Sequence, residues 1–209
     1  MIKIIDYGMG NLLSVKNALE MVGADVEICS RPDDLNDAVR LVLPGVGAFR
    51  DCIGNLQQRG FVPVLNDLVL GKKIPIMGIC LGMQVMAKKG FEQGECDGLG
   101  WFDAEVRRLQ TINPSHRVPQ IGWNTIEYKN NITLFNGLPE HPDFYFVHSY
   151  QVICKEADEI VAICEYDGPV TAAIYRDNIF ATQFHPEKSQ DYGLQILKNF
   201  IRWDPYRNA

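Results

Sequence analysis

Residues 74–84 read Ile-Pro-Ile-Met-Gly-Ile-Cys-Leu-Gly-Met-Gln, an apolar, strand-like run that ends in Gly78-Ile79-Cys80-Leu81-Gly82 and hands over to a helix-like segment. A strand that passes into a helix is the unit from which parallel sheets with helical cover are built. A glycine two residues to either side of Cys80 lets the chain turn sharply with no side chain in the way. The sulfur is then lifted onto the end of a sheet, in the form of a nucleophile elbow. The free N–H groups and positive dipole end of the following helix are expected beside it. A free thiol with a pKa of about 8.5 is only about 3% thiolate at pH 7, so a nucleophilic cysteine needs a base from elsewhere in the chain.

Working outward, residues 2–6, 25–29, 41–43 and 74–79 read as short buried strands. Residues 11–22, with Leu12, Val15, Leu19 and Val22 at helical spacing, and stretches near 49–58 and 61–70 read as helices. Strand and helix in alternation imply a mostly parallel sheet flanked by helices, and ligands gather at the carboxyl ends of such strands, where Cys80 falls. After about residue 98 the character changes. Segments 123–128, 144–149, 160–166, 170–176 and 179–184 are strand-like with few helices between, and Asp177-Asn178 marks a hairpin turn, so an antiparallel extension of the same sheet is expected. A last helix over roughly 191–203 starts near Ser189 or Asp191 as N-cap and buries Leu194, Leu197 and Ile201. With no repeat, linker or low-complexity tract, residues 1–209 read as one α/β domain.

The base is expected in Gln183-Phe184-His185-Pro186-Glu187. In an extended chain a spacing of two puts His185 and Glu187 on one face, and Pro186 disfavours helical geometry for His185. Glu187 would then fix the imidazole tautomer and leave the other ring nitrogen to the thiol of Cys80. Each half has a plainer reading, an inert buried cysteine and a turn; glycine on both sides of Cys80 favours the triad.

The chain has 209 residues, enough for one domain that buries about 70% of its unfolded surface without staples. A formal net charge of −6, with no Lys/Arg run longer than a pair, argues against a nucleic-acid partner. Cys29, Cys52, Cys80, Cys96, Cys154 and Cys164 are dispersed, with no C-x-x-C and no secretory leader ahead of them, and Met1 leads into a strand; a reduced, cytoplasmic protein is expected. Apolar runs are strand-sized, so no membrane span is expected.

Pro44-Gly45-Val46-Gly47 follows the strand 41–43 at the sheet edge of Cys80. It reads either as a plain turn or as a loop whose N–H groups, with that of Leu81, hold a developing oxyanion. Asp6-Tyr7-Gly8-Met9-Gly10-Asn11 lacks the third glycine of a dinucleotide fingerprint, since Leu13 stands there, so no NAD site and no other cofactor is expected; the loop is either a contact surface or a turn. His116 and His141 read as solvated, and His148 as either a satisfied core histidine or part of a pocket. No spacing suits a metal.

Together, Pro44–Gly47, Gly78–Gln84, Phe146–Tyr150 and Gln183–Ser189 resemble the class I (triad) glutamine amidotransferases over essentially the whole chain. Tyr7–Asn11, Pro44–Gly47 and Gly122–Asn124 are similar, within that class, to the glutaminase subunits of imidazole glycerol phosphate synthases. The resemblance implies a flavodoxin-like three-layer fold and a Cys80, His185, Glu187 triad. It implies oxyanion donors at Val46, Gly47 and Leu81, and glutamine contacts at Gly45, Gly82, Gln84, Glu92, His148, Ser149 and Tyr150. It also implies a (β/α)8-barrel cyclase subunit as heterodimer partner, met through Gly8, Met9, Gly10, Asn11, Trp123, Asn124 and Lys188. Ammonia would pass to that partner in histidine biosynthesis. The chain has Gln120-Ile-Gly-Trp-Asn where the family has His-Met-Gly-Trp-Asn, on the side expected to face the partner, and Trp101–Glu105 reads as a bulky, acidic loop. A glutaminase serving another synthase, a stand-alone cysteine hydrolase and a regulatory subunit with a vestigial site are the alternatives.

Overall fold

The computed structural model describes residues 1–129 and 132–206. Its first half runs β1 (Ile2–Ile5), α1 (Leu12–Met21), β2 (Val26–Cys29), β3 (Arg40–Gly45), α2 (Phe49–Gln58), α3 (Phe61–Asn66), β4 (Ile76–Cys80) and α4 (Leu81–Gln84). The second half runs β5 (Ala87–Gly90), β6 (Cys96–Asp97), β7 (Phe102–Arg108), β8 (Gln120–Tyr128), β9 (Asp143–His148), β10 (Tyr150–Cys154), β11 (Ile160–Glu165), β12 (Pro169–Arg176), β13 (Ile179–Thr182) and α5 (Gln190–Arg202). A nine-stranded sheet has the order β2-β1-β3-β4-β13-β12-β11-β8-β9. Its first five strands are parallel, and from β13 outward the neighbours are antiparallel, as expected from the change of character after residue 98.

Alternation along the strands divides the core. Leu41 and Leu43 of β3 face a layer with Phe49, Leu56, Phe61 and Leu65 from α2 and α3, while Val42 faces the layer with Val15 and Leu19 of α1 and Ile196, Leu197 and Phe200 of α5. Helix α2 shows the reason for its own placement, since its buried residues Phe49, Cys52, Ile53 and Leu56 recur at helical spacing. In α5 the buried stripe is Gly193, Ile196, Leu197 and Phe200, so the expected stripe of Leu194, Leu197 and Ile201 is rotated by about one residue. Gly193 explains the rotation. A Cβ there would lie 1.9 Å from Pro186 O, so the first turn of α5 presses onto the preceding turn through its glycine.

Three expectations are corrected. β3 continues through Pro44 and Gly45, so only Val46 and Gly47 belong to the loop, and Gly45 pairs with Cys80 in the sheet. Trp101–Glu105 is no loop. Trp101 is buried and donates from Nε1 to Asn66 Oδ1 at 2.8 Å, and Phe102, Ala104 and Val106 alternate inward along β7. Finally, β10-β7-β5-β6 form a separate four-stranded sheet that packs on the α2 side, where a Cβ on Gly90 would lie 2.6 Å from the Phe49 ring.

Candidate active site

Cys80 ends β4 with φ +55° and ψ −107°, a left-handed conformation that costs a residue with a side chain about 1–3 kcal/mol and persists only where its surroundings impose it. The flanking glycines are that imposition. A Cβ on Gly82 would lie 1.8 Å from Leu43 O, and one on Gly78 would lie 2.8 Å from Met86 Cε. The elbow read from the sequence is therefore built by close backbone approach. Helix α4 is only four residues long, so the help expected from a long helix dipole reduces to the first N–H groups of one turn. The sulfur is buried, 3.9 Å from Val147 O and 3.5 Å from Gln183 Nε2.

His185 has extended φ and ψ, as its position before proline requires, but Pro186–Lys188 is a 3-10 turn. Glu187 thus reaches Nδ1 of His185 at 2.8 Å around a turn and not along a strand, which corrects the expected geometry while keeping the pair. Ser189, expected as a helix cap, makes no capping bond. Its Oγ donates to His185 O at 2.6 Å and accepts from Tyr145 N at 3.0 Å, and His185 N donates to Tyr145 O at 2.9 Å. The main chain of the base is thereby held on both sides. Burial disfavours the imidazolium, yet the neighbouring Cys80 and the Glu187 carboxylate hydrogen-bonded at Nδ1 outweigh it and push His185 up to about 9. Its Nε2 is buried with no hydrogen-bond partner, in the cavity that His185 shares with Cys80.

That cavity, of about 440 Å³, also has Val46, Gly47, Leu81, Gln84, Glu92 and Ser149 in its wall, with His148, Tyr150 and Lys188. Glu92 accepts the Phe49 N–H through Oε2 at 2.8 Å, which holds the carboxylate at the start of α2 and leaves its second oxygen for a cationic group. Gln84 spends both N–H groups on Tyr150 O and Gln183 Oε1, each at 3.0 Å, and keeps its carbonyl oxygen. His148 proves to be both a core residue and a pocket wall. Its Nδ1 donates to Tyr150 O at 2.8 Å, and burial pushes it down to about 4, so the ring is neutral and its bare Nε2 accepts from the Gln120 amide, turned so that NH2 faces the ring across 3.0 Å. Gly45 and Gly82 lie outside the wall. Gly45 is packed under the Tyr7 hydroxyl and Leu81, and Gly82 against Leu43, so close packing is what the structure shows for both.

Residues 3–203 match the family model for class-I glutamine amidotransferase. The chain belongs to this family. It is 44% identical, over 98% of its length and 99% of the other chain, to imidazole glycerol phosphate synthase subunit HisH of Mesorhizobium japonicum. It is 47% identical, over 97% of its length and all of the other chain, to imidazole glycerol phosphate synthase subunit HisH 1 of Campylobacter jejuni. A crystal structure of a glutamine amidotransferase superposes with a TM-score of 0.74 at 20% identity, covering 95% of this chain and 98% of that one, which supports the fold.

In this amidotransferase, of the residues named as a partner face, Lys188 lines the cavity and Met9 touches its wall at Gly47. Gly8 and Gly10 have φ of +92° and +134°, and Met9 Cε lies 2.6 Å from where a Cβ on Gly47 would be, so the loop after β1 touches the loop after β3. Trp123 is 49% exposed and stands edge-on to Tyr145, over whose ring Lys188 Nζ lies 5.7 Å away. Asn124 donates to Glu165 O at 2.9 Å. Gln120, expected to face the partner, points inward and is 2% exposed, because β8 alternates and it is Ile121 that faces out. Among the described residues no cluster could hold a metal ion, and no helix is long and apolar enough to cross a membrane. His141 is exposed as expected, whereas His116 is half-buried against Tyr166. Sequence reasoning missed Gln183, Val147, Pro119 and the clamping role of Ser189. Only Gln183 carried a signal, its position two residues before His185.

Proposed function

We propose that the chain is the glutaminase subunit of an imidazole glycerol phosphate synthase, which hydrolyses glutamine at Cys80 and passes ammonia to a cyclase partner. Full-length relatives at 44–47% identity support the assignment to that synthase. The observation that carries the chemistry is the shared cavity, in which a strained cysteine meets a buried histidine that a carboxylate orients.

Glutamine enters with its α-ammonium toward the free oxygen of Glu92 and its amide toward Cys80. Cys80 gives its S–H proton to His185 Nε2, the sulfur attacks the carboxamide carbon, a C–S bond forms, and the carbonyl electrons move onto oxygen, which the N–H groups of Leu81 and the Val46–Gly47 loop receive. One such donor contributes about 2.7–4 kcal/mol in the transition state. His185 Nε2 gives its proton to the departing nitrogen, the C–N bond breaks, and ammonia leaves a glutamyl thioester. The ring, now neutral, takes a proton from water, hydroxide adds to the thioester carbon, and collapse returns the electron pair to sulfur and frees glutamate. Glu187 keeps Nδ1 protonated throughout.

Glutamate release from glutamine by the purified chain, alone and with its organism's cyclase subunit plus the cyclase ligand, tests this reading. Strong stimulation is expected. A rate indifferent to the cyclase would leave a free-standing hydrolase or a glutaminase serving another synthase.

A further inference from the structure

Gln183 has no exposed surface and lies in the bend directly after β13, two residues before His185. A buried carboxamide beside a nucleophile needs all its polar atoms paired, and here the pairing fixes its orientation. The Tyr150 carbonyl can only accept, so Gln84 must turn its NH2 toward it, at 3.0 Å. The second N–H of the same nitrogen meets Gln183 at 3.0 Å, where only an oxygen satisfies it. Gln183 therefore presents Oε1 to Gln84 and is left with Nε2 toward Cys80 Sγ, at 3.5 Å. A carboxamide nitrogen can only donate. His148 Nδ1 fills the other lone pair of Tyr150 O, at 2.8 Å, so the run from the cavity wall to the sulfur has one consistent set of donors and acceptors.

A donated hydrogen bond is stronger to a thiolate than to a thiol, so this contact selects the charged form. We infer that Gln183 is a catalytic residue of the glutaminase reaction, whose N–H, oriented by Gln84 and the Tyr150 carbonyl, donates to Cys80 Sγ and stabilises it as the attacking anion and again as the leaving group. In the second half-reaction the C–S bond breaks and its electron pair returns to sulfur, where the Gln183 N–H meets it. Val147 O, 3.9 Å from the sulfur, is the acceptor that serves the neutral S–H. The inference rests on the reading of Cys80 as nucleophile.

The test is Gln183→Met, which keeps length and volume and removes both polar atoms. Iodoacetamide labelling of the intact chain is followed peptide by peptide across pH, so that Cys80 is read apart from Cys96 and Cys154, and glutaminase kinetics are measured in the complex with the cyclase. The expected result is a labelling midpoint for Cys80 about one pH unit higher than in the unaltered chain, with kcat down about tenfold and KM for glutamine within about twofold. An unchanged midpoint overturns the inference while leaving the nucleophile in place. Failure of Cys80 in the unaltered chain to label faster at neutral pH than Cys96 and Cys154 overturns the nucleophile reading and this inference with it. Should Gln183→Met not fold, the unaltered chain supplies a second readout. One glutamine side-chain NH2 resonance must titrate with the Cys80 labelling midpoint and lose that titration in Cys80→Ala; a spectrum in which none does so overturns the role of Gln183.

Discussion

Glu187 Oε1 lies 2.8 Å from His185 Nδ1, and the contact closes around a 3-10 turn that begins at Pro186, with both side chains almost entirely buried. The carboxylate thus supplies two things, a fixed tautomer and a charge. They are separable, because an amide oxygen in the same place still accepts the Nδ1 proton.

Glu187→Gln is expected to lower kcat by about tenfold to a hundredfold and His185→Ala by at least about a thousandfold, since a ring can be oriented without the charge but a missing base cannot be replaced. Steady-state glutaminase rates in the cyclase complex measure both. Equal losses would mean that the charge of Glu187, and not its orientation of the ring, is what matters.

The elbow makes a prediction through two glycines. Gly82→Ala drives a Cβ to within 1.8 Å of a backbone oxygen and is expected to destabilise by at least about 3 kcal/mol or to prevent folding. Gly54→Ala, on the exposed face of α2 with open space around it, is expected to stabilise by about 0.5–1 kcal/mol. Urea denaturation of the two variants distinguishes a glycine required by contact from one that is merely present.

The elbow and the triad were legible in the sequence because glycine spacing and proline restrict the backbone directly. Gln183 was less so. A carboxamide has no charge or titration to mark it, and its role depends on Gln84 and Tyr150, which come from distant elements. β7 was overlooked although Phe102, Ala104 and Val106 alternate, because Asp103, Glu105 and Arg107 between them gave the stretch the composition of a loop. Ser189 stands where a cap belongs, and only the packing of α5 on the Pro186 turn diverts its hydroxyl to His185 and Tyr145. Gln120 looked external beside Ile121 and Trp123; strand alternation, once β8 is known to begin there, puts it inside.

His148 gives the molecule an acid limit. Its folded value of about 4 lies below the ordinary 6.5, so between those two pH values the unfolded chain binds a proton that the folded chain refuses. Its contribution is therefore complete above about pH 6.5 and falls away as pH drops toward 4, by about 3 kcal/mol in all. Denaturant titrations at pH 7 and pH 4.5 should show a smaller acid loss in His148→Gln than in the unaltered chain. Equal losses would place the acid sensitivity on the carboxylates.

Trp123, half exposed beside Tyr145 and Lys188, has the form of an interface anchor. Trp123→Ala is expected to weaken cyclase binding by about 2 kcal/mol, roughly thirtyfold in Kd, with little change in the Tm of the isolated chain. Titration calorimetry with the cyclase subunit measures it, and undiminished affinity would move the partner elsewhere on the surface.

The most direct test is Cys80→Ala in the complex with the cyclase, with synthesis followed from glutamine and, separately, from added ammonium salt. Glutamine-dependent synthesis should vanish and ammonia-dependent synthesis should persist, because the cyclase needs only ammonia. Loss of both would make Cys80 a structural residue, and persistence of the glutamine-dependent reaction would put the nucleophile elsewhere.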